Sequence, residues 1–158
     1  MLPAGHRLPL SVPVRSRVIL VQLNEMLFMR ILNYILALMF LVFAFVQVND
    51  PDPILWILIY GAMAVTAILA AFEFYATKFL VALLALYVLY SLVYIPGIME
   101  WLQTDDKAAL FDNVAKMEHL YIEEAREFLG LLICDIVLIF YLIQSQRVKK
   151  TETKGKLR

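Results

Sequence analysis

Cysteine and histidine are nearly absent: the 158 residues hold one cysteine, Cys134, and two histidines, His6 and His119. A single thiol excludes a disulfide scaffold within the chain. So few soft ligands also argue against a histidine-centred metal or haem site. Charge is scarce too, at 18% of residues against about 25% in soluble domains. Its 14 basic and 14 acidic residues cancel, and no basic patch stands apart from the apolar runs, so no nucleic-acid partner is expected. There is no Gly-rich phosphate loop and no nucleophile elbow.

What is abundant is hydrocarbon: 63% of residues are hydrophobic, well above the 45–50% or so of soluble domains, and the mean hydropathy is +0.78. Four stretches are almost free of charge: Ile31–Val48, Ile54–Phe72, Phe79–Ile95 and Phe128–Ile143. About 17–25 apolar residues cross a bilayer as a helix, and the first three stretches have that length. The fourth is a residue short and gains reach from Arg126 and Arg147, whose long stems snorkel. Lipid offers the backbone no partners and no alternating β pattern is present, so the expected fold is all-α, a four-helix transmembrane bundle. The expected location is an integral, multi-pass position in a cell membrane, or the inner membrane of a bacterium.

Charge sets the expected direction. With the N-terminus inside, 11 of the 14 basic residues lie on the inner side and only Lys107, Lys116 and Arg126 lie outside. Ten of the 14 acidic residues fall outside. The positive-inside bias therefore predicts N-in and C-in. Residues 29–146 form the expected four-span domain. Residues 1–28, rich in Arg and Pro, are read as an N-terminal extension, either disordered or a consequence of a start assigned too early, since Met29-Arg30 would open the first span. Residues 147–158 are read as a basic cytoplasmic tail. Pro96-Gly97 is expected to stop the third helix. Beyond it, Leu110, Val114, Met117 and Tyr121 recur at helical spacing, which predicts an external amphipathic helix between helices 3 and 4.

Three polar groupings fall at the outer ends of the spans. The first is Gln47-Val48-Asn49-Asp50-Pro51-Asp52-Pro53, between spans one and two. Asp52 suits a helix N-cap with Pro53 at N1, which leaves Asp50 and Gln47 unexplained. Two rigidly spaced carboxylates could also hold a hard cation, given further oxygen ligands. The second is His119, Glu123 and Glu127, spaced i, i+4, i+8, with Arg126 placed to pair with Glu123. A solvated helix start explains acidic residues there equally well, except that Glu127 touches the apolar run, where a carboxylate needs a partner.

The third grouping is the stripe Tyr87, Tyr90, Ser91 and Tyr94 in span three, which reads as a hydrogen-bonded seam. Asp52, Trp56 and Tyr60 line up in span two, where Trp56 taken singly reads as an interfacial anchor. Together these lines predict an outer polar pocket built from Gln47, Asp50, Tyr60, Tyr90, Tyr94, Glu123 and Glu127, with Asp52 beside it. Asp135 is separate. A charged Asp at mid-span costs about 2.5–3.5 kcal/mol on insertion scales, so it is expected to be neutral or paired within the bundle.

The segment Gln47–Pro53 followed by Trp56 and Tyr60-Gly61 resembles the signature of the transmembrane protein 220 family. Glu123-Glu124-Ala125-Arg126-Glu127 with Gly130-Leu131 is similar to that family's second motif. The resemblance runs from about Met29 to Ile143 and implies a small multi-helix membrane protein. It supplies no substrate, cofactor or catalytic residue. It supports reading residues 1–28 as an extension, and Asp135 lies outside its pattern.

Three functions follow from these residues. The leading one is binding of a divalent cation or small polar ligand in the outer pocket, coupled to transport if the chain forms a homo-oligomer; it requires Asp50 and Glu127 to approach one another. The second is a structural or assembly subunit with a membrane partner. The third is an enzyme acting on lipid or quinone at the interface, since paired carboxylates can do acid–base work, although no reaction is specified.

Overall fold

A computed structural model of the chain describes residues 14–50, 52–105, 107–111 and 119–156. Among them are five α-helices and no strand: α1 (Val14–Val46), α2 (Pro53–Ala71), α3 (Thr77–Ser91), α4 (Ile95–Gln103) and α5 (Leu120–Lys156). Four segments are long and apolar enough to cross a membrane: Ile19–Asn49, Pro53–Ala71, Thr77–Gln103 and Leu120–Lys150.

The helices alternate in direction, and contacts mark the two ends of the bundle. At one end the Arg30 Nε donates to the Ala71 carbonyl at 3.3 Å, placing a cation on the last turn of α2, where it complements the helix dipole. Thr77 and Ser145 hydroxyls bond at 2.6 Å at that same end, and the Lys149 Nζ donates to Thr77 at 2.8 Å. The α1–α2 connection, α4 and the start of α5 lie at the other end.

Packing follows from side-chain size. α1 lies along α2, and α5 lies along both α3 and α4. The buried face of α2 carries Ala64, Ala67, Ala70 and Ala71. In lipid, where hydrocarbon burial drives little association, such small residues let backbones approach closely. Phe40, Met63, Leu131, Leu138 and Tyr141 fill the centre. A smaller cluster of Ile98, Leu110 and Ala125 joins α4 to α5.

The turn between α2 and α3 closes as a Schellman motif. The Glu73 N–H donates to the Ala70 carbonyl and the Phe74 N–H to the Leu69 carbonyl, both at 3.0 Å. Glu73 sits at the left-handed position with φ 59°, a conformation that disfavours a β-carbon. Glu73→Gly is therefore expected to stabilise the protein by up to about 1 kcal/mol in an SDS-unfolding titration in mixed micelles.

Several elements differ from the sequence expectation. Pro96-Gly97 does not stop the third span: the chain tightens into a 3-10 turn at Leu92–Tyr94 and resumes as α4 to Gln103. Pro96 occupies the first turn of α4, where its missing N–H costs nothing. Gly97 is buried against α5, and a β-carbon there would overlap the Glu124 side chain. Residues 14–28 are the first turns of α1, and α5 continues helically to Lys156. Of the expected external amphipathic helix, Leu110 lies in a 3-10 turn (Lys107–Phe111) and Tyr121 lies in α5. Val114 and Met117 are outside the described residues.

Candidate functional site

The α1–α2 connection is built to project Asp50. After α1 the chain makes a 3-10 turn over Gln47–Asn49, closed by the Asp50 N–H on the Gln47 carbonyl at 3.1 Å. Asp50 is then extended, with φ −75° and ψ 154°, as a residue before proline must be. Asp52 holds the N-cap position of α2, with Pro in the first turn, but makes no side-chain cap hydrogen bond. Instead its N–H donates to Asp50 Oδ1 at 3.1 Å, an Asx-type turn that fixes the Asp50 carboxylate.

α5 presents two carboxylates to the same place. Glu123 and Glu127 are one helical turn apart, and each offers an oxygen that lies, with one of Asp50, in a group whose members are all within 4.8 Å of one another. The three residues are half-buried. α2 and α3 supply the surrounding donors. The Trp56 Nε1 donates to Glu127 Oε1 at 2.9 Å, and Tyr94 stands beside Glu127. Tyr94 and Tyr90 hydroxyls bond each other at 2.5 Å. Tyr60 lies beside Gln47 of the α1–α2 turn.

Aromatic rings form the floor. Trp56 stacks on Tyr60 with centroids 5.8 Å apart, and contacts Tyr90 at 6.2 Å and Tyr94 at 6.1 Å. Trp56 itself is wholly buried. It is therefore no interfacial anchor; its N–H is spent on a carboxylate within the bundle, the partner that a buried indole requires. Gly130 completes the floor: a β-carbon there would overlap the Tyr60 hydroxyl. The other motif glycine, Gly61, has open space around its missing side chain.

Of the eight residues singled out in the sequence, Asp50, Glu123 and Glu127 converge on one point. Tyr94 stands beside Glu127, Tyr90 bonds Tyr94, and Gln47 and Tyr60 lie next to each other beside them. Asp52 is exposed and contributes its backbone N–H to Asp50. His119 is exposed and stacks on Tyr121 at 5.3 Å, outside the carboxylate group. The Arg126 Nε donates to the Leu110 carbonyl at 2.6 Å, pinning the 3-10 turn to α5. In the tyrosine stripe, Tyr87 bonds the Ile59 carbonyl at 2.8 Å, joining α3 to α2, whereas Ser91 turns back to its own helix at Val88. Trp56, Gly97 and Gly130 are the structural contributors the sequence reading left out of the site. Asp135 is buried, and its Oδ1 has no partner among the described residues.

Chemically the site is a set of oxygen acceptors held by fixed donors. Hard cations take oxygen ligands at about 2.3–2.6 Å, so ligands on opposite sides of one ion stand about 4.6–5.2 Å apart. Oxygens within 4.8 Å of one another can therefore share a single ion.

Four membrane-spanning helices with a carboxylate-lined end define an integral, multi-pass membrane protein. The model of transmembrane family 220 matches residues 39–143, well over half of the chain, and the protein belongs to that family. No curated protein and no solved structure matches it.

Proposed function

We propose that the protein is a cation-binding membrane protein, its ligand held at the outer end of the bundle by Asp50, Glu123 and Glu127. The observation that carries this reading is the convergence of three carboxylate oxygens to within 4.8 Å, supplied by elements far apart in sequence. Like charges so close in a partly desolvated place repel, and a cation between them turns that repulsion into attraction. Two further features support binding over a merely solvated helix start. Trp56 orients Glu127 from α2, and Asp52 orients Asp50 through its N–H. Ligands positioned by outer hydrogen bonds are what a binding site needs, and a helix start does not.

The Trp56–Glu127 bond also provides the readout. The chain has two tryptophans, so Trp101→Phe leaves Trp56 as the sole emitter. Titrating that protein in nanodiscs with Ca2+, Mn2+ and methylammonium is expected to give a saturable change in emission for at least one of them. Asp50→Asn and Glu123→Gln are each expected to weaken it by about tenfold or more, about 1.4 kcal/mol. No saturable response to any of the three cations, or an unchanged one in both variants, overturns the reading.

A further inference from the structure

α1 is longer than the bilayer is thick. Its apolar stretch Ile19–Asn49 runs 31 residues, about 46 Å at 1.5 Å per residue, against a hydrocarbon core of about 30 Å. A tilt of about 40°, the upper end for spanning helices, still leaves about 35 Å. α2, with 19 residues, matches the core, and the Arg30–Ala71 bond sets its last turn level with Arg30. The turns of α1 before Arg30 therefore stand past the hydrocarbon at that end of the bundle.

Those turns are apolar nearly all round. Ile19, Leu20, Val21, Leu23, Leu27 and Phe28 are each 49–65% exposed. A helix that is hydrophobic on every side is a buried helix, so outside lipid these side chains call for a protein cover.

The spacing says what covers them. From Leu20, steps of four and three residues pass through Asn24, Leu27, Ile31, Tyr34 and Leu38 and run on to Phe45. The apolar members of the row are 45–76% exposed, and Asn24 is exposed as well. The opposite side of α1 buries Asn33, Ala37 and Phe40, and there the helix packs on α2. The row has the a and d spacing of a coiled-coil seam, with Asn24 at an a position.

We infer that this seam is the interface with a second copy of the chain, the two α1 helices lying side by side and parallel. Copies in one membrane share a direction, so a parallel pair sets each residue of the row opposite its own counterpart. Asn24 then meets Asn24, and an amide, with both donor and acceptor, is its own complement. A single Asn at an a position is the device that fixes register and oligomer state in coiled coils. Size agrees. Eight side chains from Leu20 to Phe45, at about 60–80 Å² each, bury about 1,000–1,300 Å² over two copies, as much as a specific interface needs. The pairing leaves α2 in place, and it does not depend on the carboxylate site, which lies at the other end of α1.

The test is disulfide scanning of the full chain in liposomes at low protein density, in a Cys134→Ala background. Leu27→Cys, Ile31→Cys and Leu38→Cys are each expected to form covalent dimers about fivefold or more faster than Gln22→Cys and Met26→Cys, because only facing positions come within reach of a disulfide. Gln22 and Met26 are exposed but lie on the side of α1 away from the seam. Leu27→Lys sets like charges against each other and is expected to lower the Ile31→Cys yield about fivefold or more, with Asn24→Lys as a second variant. Gln22→Lys is expected to leave that yield unchanged. Equal rates at the seam and at Gln22 and Met26, or a yield that neither Leu27→Lys nor Asn24→Lys lowers, overturn the inference.

Discussion

Trp56→Ala is expected to cost about 3–5 kcal/mol of stability in an SDS-unfolding titration, the range for truncating a large buried aromatic. Trp56 is wholly buried and touches three tyrosine rings, so its removal empties the floor of the site. It also strands Glu127, whose Oε1 accepts the indole N–H at 2.9 Å. Trp56→Phe separates the two effects, since it keeps most of the packing and deletes only the donor. Its expected cost is about 1.5–3 kcal/mol, as for a hydrogen bond to a charged group. The same cost in a Glu127→Gln background would show that the bond contributes nothing, because a double-mutant cycle isolates the pair.

Gly130→Ala is expected to be destabilising by about 1–3 kcal/mol, although alanine is the better helix former. The added β-carbon overlaps the Tyr60 hydroxyl, which reaches from α2 to α5. Rescue gives the test its force. Tyr60→Phe removes the one oxygen in the way, and the ring carbon behind it is 3.3 Å from the new methyl position, a contact that small shifts relieve. In that background Gly130→Ala is expected to become neutral or stabilising, by up to about 1 kcal/mol from helix propensity. A cost unchanged by Tyr60→Phe would mean that Gly130 matters for some reason other than this contact.

The spans were legible because their signal is additive: four apolar runs of bilayer length leave little choice of fold. The approach of Asp50 to Glu127 was legible for a related reason. Each motif lies at the end of a span, and alternating helices bring those ends to one side. The partner of each carboxylate was not legible. A tryptophan near the end of a span is on average an interfacial anchor, and nothing local to Trp56 says that its N–H meets a residue 71 positions away. His119 shares the i, i+4 spacing of Glu123 and Glu127 but precedes the first residue of α5, so its side chain is not carried round with theirs.

The glycines show a second limit. Gly97 and Gly130 are needed for what approaches them, a side chain from another helix, and that information lies in the partner. Pro96 misleads for a different reason. A proline ends one helix or opens the next, and the 3-10 turn at Leu92–Tyr94 lets it open α4 without ending the span. The boundary of α1 at Val14 has a simpler source: Arg15, Arg17 and Glu25 interrupt the apolar pattern without breaking helical backbone.

Native mass spectrometry with elemental analysis, comparing the purified wild type with Asp50→Asn and Glu127→Gln, tests the shared site most directly. The expected result is one cation, a metal ion or a molecule bearing an ammonium group, bound to the wild type and lost from both variants. A wild type that carries no cation, or a bound species retained in both variants, would contradict a site shared by these carboxylates.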